Sequence, residues 1–329
     1  MNKIPTISIV IPTINEERNI GRCLESIFSQ SYPKNRLEVI IVDDLSTDKT
    51  LEIAKNYPVK ILTSGKKHGE ISKIIGFNKA RGDYVMYLDA DTELKGKAWF
   101  QKMILPLIED PKIVASFTWE GCRPSDSPME RYLSFDQLQR DPVYQFFSPG
   151  VQDVISEKRQ GYDLCVYKHD KIPPAGRCLY RSKQLLEAIK SESIFMELDV
   201  LMIFILKGLN KFAYVPETGI YHHHAPNLSE LLRKRRYNMT KVYFLHAHKR
   251  LYTWFDLTKK KDVLKIIIWV IYANLIIPSV FVGIYKSIRH NDIAGMYEPI
   301  VTLLVTDLLI IDFLFHRSGR AMLLKVFGQ

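Results

Sequence analysis

Asp89 and Asp91 stand one residue apart, and their type and spacing make them the first candidates for chemistry in this chain. Two carboxylates so placed can share a hard divalent cation, and that cation can neutralise a diphosphate. The plainer reading is that Asp89-Ala90-Asp91 caps the next helix or solvates a turn. The pair ends the stretch Arg81-Gly82-Asp83-Tyr84-Val85-Met86-Tyr87-Leu88. Tyr84 to Leu88 is an apolar run that fits a short strand covered on both faces. The acids then lie where the strand leaves the sheet, and open α/β folds bind ligands beyond the carboxyl ends of their strands. Lys66, Lys67 and Lys73 are near enough in sequence to reach a diphosphate, although each also reads as a surface lysine. Neither the dinucleotide fingerprint nor the P-loop pattern occurs, so a metal and cations would have to hold the phosphates.

The elements that must position these residues follow from the hydrophobic pattern. Ile7 to Ile11 reads as a buried strand closed by Pro12. Asn15-Glu16-Glu17 opens an amphipathic helix with Ile20, Cys23, Leu24, Ile27 and Phe28 at helical spacing. Leu37 to Val42 is a second strand running into Asp43-Asp44, Lys49 to Asn56 a second helix, and Val59 to Leu62 a third strand. Ser72 to Ala80 is a third helix ahead of the Asp89 strand, and Ile113 to Thr118 is a further strand. Strands alternating with helices predict an α/β fold with a doubly covered, mostly parallel sheet. Its rim would gather Thr13 and Glu16, Asp43 and Asp44, and Asp89 and Asp91, where a carboxylate can accept from a base N–H or a ribose hydroxyl.

Bulk composition narrows the function classes. The chain has 329 residues and a formal net charge of +10, enough for one large α/β domain with additions. The basic excess suits nucleic acid, anionic lipid or phosphate-rich substrates. No nucleic-acid recognition module accompanies it, which argues against nucleic acid as a partner. Cys23, Cys122, Cys165 and Cys178 show no paired spacing, so neither a zinc site nor a disulfide framework is expected. The N-terminus reads as lacking a signal peptide.

Three blocks carry a resemblance: SIVIPTINEERNIGRCLESIFSQSYP, VIIVDDLSTDKT and ARGDYVMYLDAD. In order and spacing, over roughly residues 5 to 120, they resemble the family-two glycosyltransferases of the GT-A fold. The resemblance implies that Pro12, Thr13 and Glu16 border a nucleotide sugar and that Asp43 or Asp44 reads the base. It implies that Asp89 meets ribose or metal, that Asp91 binds Mn²⁺ or Mg²⁺, and that Ala90 between them lines the donor. Lys73 is placed to meet the diphosphate, although Ile74-Ile75-Gly76 replaces the family's Asn-x-Gly in that helix.

Pro174 to Arg181 is similar to the family's glycine-led block, which implies a sugar-facing Gly176 and a terminal Arg181 on the donor side; Arg181 also reads as a helix start. Counting back from Gly208 sets Glu197 at the position of the family's general base, with Asp199 the alternative and Met196 where a Glu is usual. An inverting transfer needs one such carboxylate to take the acceptor's proton. Among His222, His223 and His224, His222 matches a histidine of the family, with a structural, phosphate-facing or metal-ligating role open to it. Arg233 to Tyr237 resembles the Gln-x-x-Arg-Trp element, with Arg233 for Gln, Tyr237 for Trp and Arg236 placed to stabilise a leaving diphosphate. The stretch from 119 to about 170 is broken by prolines; Met129 to Gln139 is a possible helix in it.

Val263 to Tyr285 is a predominantly apolar run of 23 residues, long enough to span a bilayer. Lys259-Lys260-Lys261 before it predicts a cytoplasmic catalytic part. Ile300 to Phe315 carries Asp307 and Asp312 and is a possible second span or an interfacial helix, with His316, Arg317, Arg320 and Lys325 behind it. The expected organisation is a nucleotide-sugar half at 1–120, an acceptor half at 121–258, and a membrane anchor at 259–329. The expected function is an inverting, metal-dependent transfer from a nucleotide sugar to a hydroxyl or phosphate, on a lipid-linked acceptor. The rivals are a nucleotidyltransferase, which would want a Gly- and Arg-rich loop after the first strand, and a non-catalytic membrane scaffold, which the departure at Met196-Glu197 favours.

Overall fold

The computed structural model describes residues 4–66, 68–136, 141–173, 176–247, 250–253, 255–256 and 258–321. Lys67, Gln139, Pro174, Ala175 and Lys325 lie outside the described residues. The elements begin with β1 (Ile7–Thr13), α1 (Ile20–Phe28), β2 (Leu37–Asp43), α2 (Thr50–Ala54), β3 (Lys60–Thr63), α3 (Gly69–Lys79), β4 (Tyr84–Tyr87) and β5 (Thr92–Leu94). Next come α4 (Trp99–Glu109), β6 (Ile113–Gly121), α5 (Pro128–Leu133), α6 (Pro142–Phe147), β7 (Ile155–Arg159), β8 (Tyr162–Val166) and β9 (Leu179–Arg181). The last are α7 (Ser182–Ala188), α8 (Glu197–Leu206), β10 (Lys211–His222), α9 (Leu228–Tyr237), α10 (Phe244–His246), α11 (Lys260–Leu275), α12 (Ile277–His290) and α13 (Glu298–Phe315).

The chain forms two units, Met1–Glu120 with Gly150–His222, and Gly121–Pro149 with His223–Gln329. Residues 150–222 therefore return to the first unit instead of forming one block with 121–149. In the first unit the strand order is β3-β2-β1-β4-β9-β6-β10-β8-β7, with β5 against β10. The strands β3, β2, β1 and β4 are parallel. The inner strands β1, β2 and β4 carry buried apolar runs because both faces are covered: Ile7, Ile9, Ile11, Val39, Ile41 and Met86 share a core with Cys23, Leu24 and Ile27 of α1. On the opposite face a Cβ at Gly76 of α3 would lie 2.2 Å from Val10 Cγ1, so glycine lets that helix approach the sheet.

The mostly parallel sheet is a correction: the sheet is mixed, with antiparallel pairs beyond β4. The strand β9 enters between β4 and β6, pairing Val85 with Tyr180 and Ala115 with Tyr180. The strands β5 and β8 run antiparallel to β10, and β7 to β8. A three-residue strand and a hairpin turning at Gly161 (φ +85°) leave little periodicity to detect. Local bounds also move. The strand β1 runs on through Pro12, α3 starts at Gly69, and the expected Met129 helix ends at Leu133.

The second unit gathers Met129, Tyr132, Leu133, Leu231, Val301 and Val305 in one core. No single described helix is long and apolar enough to cross a membrane. The expected span is instead two helices, α11 and α12, bent by 80°, which pass the length and composition test only together. Lys265 puts a formal charge inside that run.

Candidate active site

The carboxyl end of β4 delivers Asp89 and Asp91, and the end of β10 delivers His222. Each offers one ligand atom, and the three atoms lie within 4.8 Å of one another. His222 Nε2 is 3.5 Å from Asp91 Oδ1. Strand alternation sends the next histidine elsewhere: His223 belongs to the second unit, where its Nδ1 lies 3.5 Å from Asp126. Two carboxylates and an imidazole fit a divalent cation. The imidazole suits Mn²⁺ better than Mg²⁺, which prefers oxygen.

Cations already line the cluster. Arg177 Nη2 donates to Asp89 Oδ2 at 2.5 Å, and Nη1 donates to Glu120 Oε1 at 2.6 Å. The same Nη2 is 3.2 Å from His222 Nε2. Lys73 Nζ donates to Glu70 at 3.1 Å, lies 3.7 Å from Asp89, and sits 4.0 Å above the Tyr87 ring. Burial opposes ionisation of Asp89, yet Lys73 and Arg177 outweigh it and hold the carboxyl below its ordinary range. Burial also opposes ionisation of Glu120, but Arg177 and His222 hold it at about 2. Among the described residues, Lys73 and Arg177 are permanent cations of this carboxylate cluster, meeting Glu70, Asp89 and Glu120 directly.

Glu197, the first residue of α8, joins this cluster through two phenols. Tyr87 donates to Oε2 and Tyr180 to Oε1, each at 2.7 Å. The backbone N–H of Arg177 reaches the Tyr87 hydroxyl at 3.4 Å. Burial pushes the Glu197 carboxyl up, with the phenols and the two cations opposing. Asp199 is buried two residues on, about 200° around a helix of 3.6 residues per turn, so it faces away from Glu197.

The remaining expected residues fall into three groups. At the ends of β1 and β2, Thr13 donates to Asp43 at 3.4 Å and Ser46 N–H to Asp43 at 3.0 Å. Asp44 accepts from Ser72 Oγ at 2.8 Å and from Ser64. Glu16 accepts from the Asn19 amide at 2.8 Å, beside Pro12 at the same strand end. Ala90 is buried between the two acids, and a Cβ on Gly176 would lie 2.2 Å from Glu120 Oε1, so both border the cluster. Arg181 does not: it pairs with Tyr84 at the opposite end of β4, about 16 Å of strand from Asp89. Its guanidinium donates to the carbonyls of Ile113, Asp110 and Leu107. Arg233 and Arg236 belong to the second unit, paired with Glu230 and Asp312.

Sequence reasoning missed Arg177, Glu120, Tyr87 and Tyr180. Arg177 was within reach, since it follows Gly176 in a block already singled out. Its positive φ of +53° turns its side chain towards Asp89 rather than along β9, which no residue pattern announces.

Residues 8–167 match the model of Glycosyl transferase family 2. The family 2 match spans β1 to β8 and so contains Asp43, Asp44, Lys73, Asp89, Asp91 and Glu120. Arg177, Glu197 and His222 lie beyond it. Among curated relatives, a Methanococcus voltae protein named dolichyl N-acetyl-alpha-D-glucosaminyl phosphate 3-beta-D-2,3-diacetamido-2,3-dideoxy-beta-D-glucuronosyltransferase is 41% identical over 91 residues, 26% of this chain and 28% of that protein. Glycosyltransferase AglE of Haloferax volcanii is 29% identical over 143 residues, 41% of this chain and 47% of that protein. The chain thus spans less than half the length of these relatives. A solved mannosyltransferase of Pyrobaculum calidifontis, in complex with GDP-Man and Mn²⁺, aligns at 15% identity and TM-score 0.47, over 99% of this chain and 81% of that one.

Proposed function

We propose that this chain is an inverting glycosyltransferase that moves a sugar from a nucleotide-sugar donor to a hydroxyl or phosphate of a lipid-linked acceptor at a membrane face. The observation that carries the reading is the convergence of Asp89, Asp91 and His222 beside Glu197, in and just beyond the segment that matches family 2. Asp89, Asp91 and His222 would hold Mn²⁺ or Mg²⁺, which when bound supplies positive charge to the leaving diphosphate. Lys73 and Arg177 add fixed positive charge at the same place. Glu197 is the general base. Burial raises its affinity for a proton, and Tyr87 and Tyr180 fix both its oxygens. The acceptor oxygen bonds to the anomeric carbon as the carbon–diphosphate bond breaks with inversion, and the acceptor's proton passes to Glu197. An acceptor phosphate is already a nucleophile and leans less on the base. The dolichyl phosphate in the relative's name supports the lipid-linked acceptor. The helix pair α11 and α12, preceded by Lys259 to Lys261, supports attachment to a membrane with the catalytic unit on its cytoplasmic side.

Arg177 favours a second reading, in which it already supplies positive charge at Asp89 and His222 and transfer proceeds without a metal. One panel separates the two. Binding and turnover of UDP-, GDP- and dTDP-sugars are measured on the detergent-solubilised chain, with Mn²⁺ or EDTA, for the wild type, Asp91→Ala and Glu197→Gln. Mn²⁺-dependent binding lost in Asp91→Ala, with turnover lost in Glu197→Gln, supports the metal-assisted transferase. Binding indifferent to EDTA and to Asp91→Ala supports the Arg177 reading. Failure to bind any nucleotide sugar rejects both.

A further inference from the structure

The helices α11 and α12 are amphipathic the wrong way round for water. On α11, Ile267, Ile268 and Ile271 are exposed on one face, and on α12 Ile277, Phe281 and Ile288 are exposed by 68–76%. The inward face of α12 is small or polar, whereas α11 turns Trp269 and Ala273 inward. Ser279 and Gly283 are buried, and Lys286 reaches in to Glu298 at 2.6 Å and to Gln145 at 2.7 Å. Glu298 also accepts from Tyr132 at 2.8 Å and Tyr272 at 3.2 Å. A satisfied ionic network inside and large aliphatic side chains outside is the polarity expected of protein against lipid.

Length and bend argue against a crossing. At 1.5 Å per residue α11 is about 24 Å long and α12 about 21 Å, each short of a hydrocarbon core of about 30 Å. The 80° break between them is built in: Ile276 has φ +61°, and Pro278 at the start of α12 cannot donate across it. Both arms are tied to neighbouring short helices. The Trp269 ring of α11 is 4.9 Å from Phe146 of α6. Asp292, just after α12, is bound by Arg131 of α5 at 2.6 Å. Lys259, Lys260 and Lys261 stand at the entry and Arg289 at the exit, which suits anionic headgroups.

We propose that α11 and α12 form a re-entrant wedge seated in one leaflet of an anionic bilayer, entering and leaving on the same face. The inference rests on the membrane attachment proposed above and replaces the span with a wedge. Full-length Lys261→Cys and Asn291→Cys, both at exposed positions, are added to preformed phosphatidylcholine–phosphatidylglycerol vesicles and treated outside with a membrane-impermeant maleimide. Labelling is read above the wild-type background of the native cysteines. Equal labelling of both positions, with vesicle partition reduced about ten- to hundredfold by Phe281→Asp, is expected. Labelling of Lys261→Cys alone overturns the wedge in favour of a span and leaves the membrane reading intact. Failure of the wild type to float with vesicles overturns the membrane reading itself, and self-association through this face would then be its occupant.

Discussion

Arg177→Met isolates the charge that ties the active cluster together. The guanidinium is 8% exposed and binds Asp89 at 2.5 Å, Glu120 at 2.6 Å and His222 at 3.2 Å. Methionine keeps an unbranched stem, and both residues occupy the same left-handed backbone, so strain cancels in the comparison. Removing one partner of a buried ion pair leaves the other uncompensated and costs about 3–5 kcal/mol. In a unit of this size that lowers Tm by about 6–20 °C, at roughly 2–4 °C per kcal/mol. Mn²⁺ at a hundred times its Kd would restore about 2.7 kcal/mol. Because Arg177 shares Asp89 and His222 with the proposed cation, Mn²⁺ should raise the Tm of the variant more than that of the wild type. Differential scanning calorimetry in EDTA and in Mn²⁺ measures all four values. A variant melting within 2 °C of the wild type, or equal Mn²⁺ shifts in both proteins, refutes the reasoning.

Two further outcomes are expected. Tyr180→Phe removes one of the phenols that oppose the upward push on Glu197. The acid limb of kcat/KM, where activity falls as pH drops through the base's pKa, should therefore move to higher pH; an unmoved limb removes Glu197 from the base position. Arg181→Gln should lose about 1.5–3 kcal/mol of stability, since charged hydrogen bonds to three carbonyls are broken, with donor KM unchanged. A raised donor KM at unchanged Tm would return Arg181 to the nucleotide.

The parallel half of the sheet was legible because its strands are buried on both faces and its helices carry a clear apolar stripe. Asp89, Asp91 and Lys73 came with it, since each follows or precedes such a run. The mixed half beyond β4 was not legible. The strand β9 has three residues, and β7 carries Glu157, Lys158 and Arg159 on the sheet edge, so neither shows a period. Glu120 was hidden for a related reason: β6 runs three residues beyond the apolar part that marks it. His222 was identified by type and position, but its meeting with Asp91 depends on β10 crossing the sheet, a tertiary fact. Arg181 misled because an arginine at the end of a strand looks alike whether it faces a ligand or a carbonyl.

The insertion of β9 beside β4 also sets when the cluster can exist during synthesis. Asp89 and Asp91 leave the ribosome long before Arg177, Glu197 and His222. At 5–20 residues per second the gap to His222 is on the order of ten seconds. Throughout that interval β4 has its β1 partner on one side and an open edge on the other, awaiting Leu179–Arg181. The nascent chain thus holds an unfinished acidic pocket beside an unpaired strand, the edge most prone to pair wrongly. A translational pause placed between residues 91 and 179 would lengthen that exposure, and one placed after residue 222 would not.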